Sequence, residues 1–284
     1  MLANLNDVLI PARKGKYAVG LFNTVNLEMA RGVISAAEEL NAPVIIGTAE
    51  VLFPFGPLEE LSYLLLPMAK KASVPVVLHL DHGLNDDTCK RALELGFSSI
   101  MYDCSTDSFE NNIKKVKEMA ELAHSYGATI EAELGHVGDN EGSAEGNNYL
   151  TDPSRFYTQS RQAKEFIEAT KADALAIAVG TAHGAYKLPP KLDFERIREI
   201  AGITDIPLVL HGGSGLSDSD FQKAIDCGIS KVNIFTDINQ AGAKAAYEAY
   251  QEGFGLTDLS EPTVEAIKVE VIKKMLLFKS NGKA

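Results

Sequence analysis

Most residues able to do acid–base or metal chemistry fall in five short motifs spread along the chain. They are His79-Leu80-Asp81-His82-Gly83, Tyr102-Asp103, Glu131-Ala132-Glu133, Gly180-Thr181-Ala182-His183-Gly184 and His211-Gly212-Gly213-Ser214-Gly215. Three of the six histidines, His82, His183 and His211, each stand beside a glycine or an aspartate. Three neutral imidazoles with one open coordination position suit a catalytic Zn²⁺, because the vacancy accepts a water or a substrate oxygen. Any one of them alone reads more readily as a core or surface histidine bonded to a nearby carbonyl, and it is the three together that favour a metal site. Asp81 directly precedes His82 and could exchange a proton with a substrate hydroxyl or orient a histidine. Asp103 and Glu133 could bind a second ion or hold the imidazoles. Cys104 reads as a small buried thiol and His79 as a packed residue behind the ligands, with His124 and His136 solvated.

A second chemistry lies in Gly212-Gly213-Ser214-Gly215 followed by Leu216-Ser217-Asp218. A glycine turn running into a helix start exposes backbone N–H groups and the positive end of a helix dipole to an anion. Asn233 and Thr236 add donors from the next motif, Asn233-Ile234-Phe235-Thr236-Asp237, and Lys187 offers a point charge. Schiff-base chemistry is disfavoured, because Lys231 falls at the start of a strand rather than its end.

These motifs need elements to bring them together, and a β/α alternation runs nearly end to end. Near-continuous apolar runs predict strands at 18–22, 43–47, 75–80, 98–102, 129–134, 174–179, 207–211 and 231–235, covered on both faces. Amphipathic stretches between them, such as Asn26–Leu40 with Leu27, Ala30, Val33, Ile34 and Ala37 on one face, predict helices packed on a sheet. Eight such units account for a (β/α)8 TIM barrel of about 250 residues, whose chemistry collects at the C-terminal strand ends. All five motifs fall there. A doubly wound open sheet is the rival arrangement. The remaining chain reads as a mobile loop at about 135–150 and a helical tail at about 261–280, and residues 1–284 as one domain.

The formal charge of -12 makes nucleic acid and anionic membranes poor partners. No apolar run reaches the ~18 residues of a membrane span, and the N-terminus lacks the pattern of a signal peptide, so a cytoplasmic location is expected. Three cysteines without Cys-x-x-Cys spacing support neither a disulfide framework nor a thiolate zinc site.

Taken together, Ala18–Asn23, His79–Gly83, Glu131–Gly135, Gly180–Gly184, His211–Gly215 and Asn233–Asp237 resemble the class II, zinc-dependent ketose-bisphosphate aldolases of the fructose-/tagatose-bisphosphate type. The resemblance implies the (β/α)8 fold and reversible aldol cleavage of a ketose (bis)phosphate to dihydroxyacetone phosphate and an aldehyde. It implies zinc on His82, His183 and His211, Asp81 as acid/base on the C4 hydroxyl, and Glu141 as the base for the dihydroxyacetone phosphate proton. Gly184, Gly212, Gly213, Ser214, Asn233 and Thr236 would hold the C1 phosphate with help from Lys187, and Asn23 would line the pocket. Backbone around Ala182, Gly184, Gly212 and Ser214 would hold a monovalent cation, Na⁺ or K⁺. A homodimer or homotetramer is implied as well.

The sequence departs from the family at Ala49, where many relatives have serine, and in having no arginine beyond Arg198 for a distal phosphate. A ketose 1-phosphate or a deoxy-keto-sugar acid phosphate is therefore an alternative substrate. A metal-dependent sugar-phosphate epimerase, and a binding protein without turnover, are alternative functions on the same fold.

Overall fold

The computed structural model describes residues 1–138, 153–182 and 190–284. Eight parallel strands form the sheet: β2 (Val19–Asn23), β3 (Val44–Ala49), β4 (Val76–Gly83), β5 (Ser99–Tyr102), β6 (Thr129–Leu134), β7 (Ala174–Ile177), β8 (Leu208–Leu210) and β9 (Ile229–Ile234). β9 pairs with β2 and β4 with β5, so the sheet closes on itself and the open doubly wound alternative is excluded. The chain is a (β/α)8 barrel.

Each expected strand has its counterpart, with shifted edges. Pro43, Pro75 and Pro207 stand just before their strands rather than inside them, since proline has no N–H to give to the ladder. β4 runs on to Gly83, past the expected end at Leu80.

The strands' outer faces pack against α2 (Leu27–Glu39), α3 (Leu58–Lys71), α4 (Asp86–Glu94), α5 (Phe109–Ser125), α6 (Ser160–Thr170), α7 (Phe194–Ile203) and α8 (Asp218–Cys227) in one apolar core. A second core lies inside the barrel. There the helix α1 (Leu5–Gly15), which the sequence reading did not single out, closes the N-terminal end of the barrel with Leu5, Val8, Leu9 and Ala12. They pack on Val19, Leu21, Ile45, Val77, Ala174, Ala176 and Val209. Asn4 caps α1, the Leu5 N–H donates to Thr129 Oγ1 at 3.0 Å, and the two-residue strand β1 (Leu2–Ala3) adds to β4.

The pleat sends alternate residues inward. Above the apolar plug the interior turns polar, first with His79, Ser99, Glu131 and Lys231, then with Asn23, Asp81, Glu133, His211 and Asn233, all buried. At the C-terminus, α9 (Thr236–Ala249) and α10 (Leu256–Leu277) form a helical extension that begins earlier than the expected 261. α10 rests on α2 at Gly32, where a Cβ would meet Ile267.

Candidate active site

Asp81 and His82 are consecutive residues at the end of β4, and regular alternation would send them to opposite faces. The backbone prevents this. His82 adopts a left-handed conformation, φ 44°, and the β4–β5 register shifts between Leu80 and Gly83, so both side chains line one cleft. Gly83 completes the bulge; a Cβ there would meet Cys89 Sγ at 2.6 Å and the Met101 carbonyl at 2.9 Å.

The two imidazoles are each held from behind by a carboxylate. His82 Nδ1 donates to Asp103 Oδ2 at 2.8 Å, and His211 Nε2 donates to Glu131 Oε1 at 2.8 Å. The other two ring nitrogens, His82 Nε2 and His211 Nδ1, then face each other at 2.8 Å. Burial works against charge on His82, but the carboxylates of Asp81 and Asp103 outweigh it and push its pKa up to about 10. Burial, then the charge of His82, lowers that of His211. The pair therefore shares one proton, with His82 as donor and His211 as acceptor.

The two converging nitrogens are donors that fit a divalent cation, and the Asp81 carboxylate stands beside them, the ligand atoms of the three groups all within 4.8 Å of one another. Outer nitrogens bound to carboxylates are the arrangement that fixes tautomer and orientation in histidine metal sites. His82, Asp103 and Glu133 form a second such group, and Glu133 Oε2 also lies 3.6 Å from His211 Nδ1. Burial, then the neighbouring Asp103, pushes Glu133 up to about 8.

Asp81 is held from both sides. Asn23 Nδ2 donates to Oδ2 at 2.8 Å and Asn233 Nδ2 to Oδ1 at 2.9 Å. Burial alone would raise its pKa, but the charges of His82 and Lys231 hold the carboxyl well below the usual carboxylate range. It is ionised, buried and accepts from two amides.

The glycine turn borders the same cleft, of about 700 Å³, with Gly212, Gly213, Ser214, Asn233 and Thr236 on its wall. Gly212 has φ 64°, and a Cβ there would run into the Ala182 carbonyl. Phe235 N–H donates to Ser214 Oγ at 3.3 Å and ties the turn to the start of α9. One expectation changes here. The helix start at the cleft is that of α9, not that of α8, whose first turn is capped by Ser217. α9 has Phe235 at its N-cap with no side-chain cap bond, and Phe235 and Thr236 line the cleft.

His136, expected in solvent, instead lines the cleft with Nδ1 2.9 Å from Ser105 Oγ. His79 is buried against Ser99 as expected, Cys104 is a buried free thiol, and His124 is exposed and paired with Asp173. Glu141, His183, Gly184 and Lys187 lie outside the described residues, as does most of the expected mobile loop. The sequence reading passed over Glu131 as a functional residue. Its signal was the Glu-x-Glu spacing, which on a strand puts both carboxylates on the inward face.

Sequence comparison bears on this geometry. The family described as fructose-bisphosphate aldolase class-II matches residues 3–283. The chain belongs to this family. Class II aldolases are carbon–carbon lyases, and the family implies a divalent metal and a sugar phosphate substrate. The chain is 40% identical to the uncharacterized protein YdjI of Escherichia coli K12, with 100% of both chains covered. It is 38% identical to the fructose-bisphosphate aldolase of Geobacillus stearothermophilus, covering 100% of this chain and 99% of that one. The crystal structure of the YdjI aldolase from E. coli K12 matches with a TM-score of 0.88 at 37% identity over 100% of both chains. Among the described residues, no helix of this class II aldolase is long and apolar enough to cross a membrane.

Proposed function

We propose that this chain catalyses zinc-dependent, reversible aldol cleavage of a ketose that carries a C1 phosphate, releasing dihydroxyacetone phosphate and an aldehyde. The observation that supports this best is the ionised Asp81, fixed by two amides beside the converging nitrogens of His82 and His211. His82 and His211, joined by His183, would hold the ion. When bound it supplies Lewis acidity for the charge that develops on the substrate oxygens.

The remaining steps belong to the chain's own groups. Asp81 accepts the C4 hydroxyl proton as the C3–C4 bond breaks. Its two amide donors hold the acceptor oxygens in one orientation, so little reorganisation accompanies the transfer. Glu141 returns a proton to the three-carbon fragment. The Gly212–Ser214 turn and the first turn of α9 receive the C1 phosphate, where backbone donors and the helix dipole favour an anion, while the Asn233 amide is engaged by Asp81 and Lys231.

For the aldehyde portion two readings stand. Fructose or tagatose 1,6-bisphosphate follows from the family. A ketose 1-phosphate with an uncharged aldehyde portion is favoured by the cleft itself. Its described lining contains no lysine or arginine, and Val51, Leu52, Leu84 and Phe235 give it apolar walls.

A coupled assay for dihydroxyacetone phosphate across both bisphosphates, ketose 1-phosphates and a deoxy-keto-sugar acid phosphate tests the proposal. Release from at least one of them by the zinc-loaded protein is expected. A product that keeps all its carbons would instead identify an epimerase, and the absence of any turnover would leave only binding.

A further inference from the structure

Lys231 has no task in the reaction as described, yet it is among the largest fully buried side chains in the molecule. It stands on β9 two residues before Asn233, so both side chains point into the barrel. Its Nζ donates to Asn233 Oδ1 at 2.9 Å and lies 2.8 Å from Glu131 Oε2, an ion pair rather than an aligned hydrogen bond.

An ammonium can only donate and an ionised carboxylate can only accept. Between these two partners the Asn233 amide has one workable orientation. Its oxygen turns down to Lys231, and its nitrogen turns up to Asp81 Oδ1 at 2.9 Å. Without the ammonium the amide could rotate, and its oxygen would then oppose the carboxylate. Glu131 balances the buried charge, which explains how a lysine is tolerated beneath the site.

We propose that Lys231 is a positioning residue that acts through Asn233 to hold the Asp81 carboxylate in place. The inference rests on the aldolase reading, since Asp81 matters to turnover only if it moves the C4 hydroxyl proton.

The test is Lys231→Met in the zinc-loaded protein, assayed in the wild-type and Asp81→Ala backgrounds. kcat for cleavage should fall ~10- to 100-fold through the misplaced acceptor, with KM changed by less than about threefold. In the Asp81→Ala background the same substitution should have almost no further effect, because the group it positions is gone. Hydrogen exchange into dihydroxyacetone phosphate, which has no C4 hydroxyl, should stay within about twofold of wild type.

If Lys231→Met does not fold with Glu131 left unpaired, Lys231→Met/Glu131→Gln judged against Glu131→Gln serves instead. A crystal structure of the variant gives a reading that needs no activity: the contact from Asn233 Nδ2 to Asp81 Oδ1 should be lost. Wild-type kcat, an equal loss in the Asp81→Ala background, exchange falling in step with cleavage, or an unmoved Asn233 amide would each overturn the proposal. A wild-type protein that cleaves no ketose phosphate counts against the aldolase reading, and the variant's structure then decides the positioning separately.

Discussion

His82 Nε2 and His211 Nδ1 lie 2.8 Å apart although 129 residues separate them in the chain. Each ring is turned to this meeting by a carboxylate on its far side, Asp103 for His82 and Glu131 for His211. Two lone pairs so close repel unless a cation stands between them, and in the metal-free protein a proton does that. The relationship makes the metal site and the proton balance two aspects of one device.

Metal loading should therefore depend on pH. The metal-free pair keeps its proton at neutral pH because the carboxylates of Asp81 and Asp103 outweigh burial and push His82 up to about 10. A divalent ion must displace it, so affinity should rise with pH between about 6 and 9, approaching tenfold per unit for one proton released. Competition titrations with a chelator of known affinity measure this. Chelation should also abolish cleavage and added zinc restore it; full activity after verified metal removal would contradict the mechanism.

Replacing Asp81 by alanine should lower kcat by ~10²-fold or more while the zinc content stays near wild type. Elemental analysis and the coupled assay on the same preparation separate the two effects. Near-normal turnover would remove Asp81 from the role of proton acceptor.

The carboxylates behind the rings should matter without touching the ion. Asp103→Asn keeps the shape but removes the charge that fixes His82, and ~10- to 100-fold weaker metal binding is expected. A zinc affinity unchanged in Asp103→Asn would show that His82 is held by packing alone.

Gly212→Ala and Gly127→Ala form a matched pair. Both glycines have positive φ, 64° and 72°, but only at Gly212 would a Cβ collide with another group, the Ala182 carbonyl; at Gly127 nothing lies within 4 Å. Thermal unfolding should show the Gly127 variant losing only the backbone term, about 1 kcal/mol, and the Gly212 variant losing ~2 to 4 kcal/mol. The Gly212 variant should also show a raised KM if, as proposed, the turn it distorts receives the phosphate.

Much of the architecture is legible in the amino-acid sequence. Strand-length apolar runs with helical stretches between them predict a barrel because a parallel strand is covered on both faces and needs no polar alternation. The motifs at strand ends then had to share one mouth. That reasoning placed Asp81, His82, Asn233 and the glycine turn around one cleft, where the structure has them, with His211 buried against His82.

α1 escaped although Leu5, Val8, Leu9 and Ala12 recur at helical spacing, because it precedes the first β/α unit and its burial follows only from an open barrel end that needs filling. The left-handed turn at His82 escaped because strand periodicity describes regular backbone, and a bulge is a departure from it. The ion pair of Lys231 with Glu131 escaped because a charged residue in a strand is read as solvent-facing unless its partner is known. Type and order of the elements, and which residues could carry the chemistry, are thus properties of the chain's local pattern. Which nitrogen faces which, which carboxylate stands behind each ring, and which cation lies beneath Asp81 arise only when distant segments are packed together. A hydrogen bond depends on angstroms and angles that spacing along the chain does not encode.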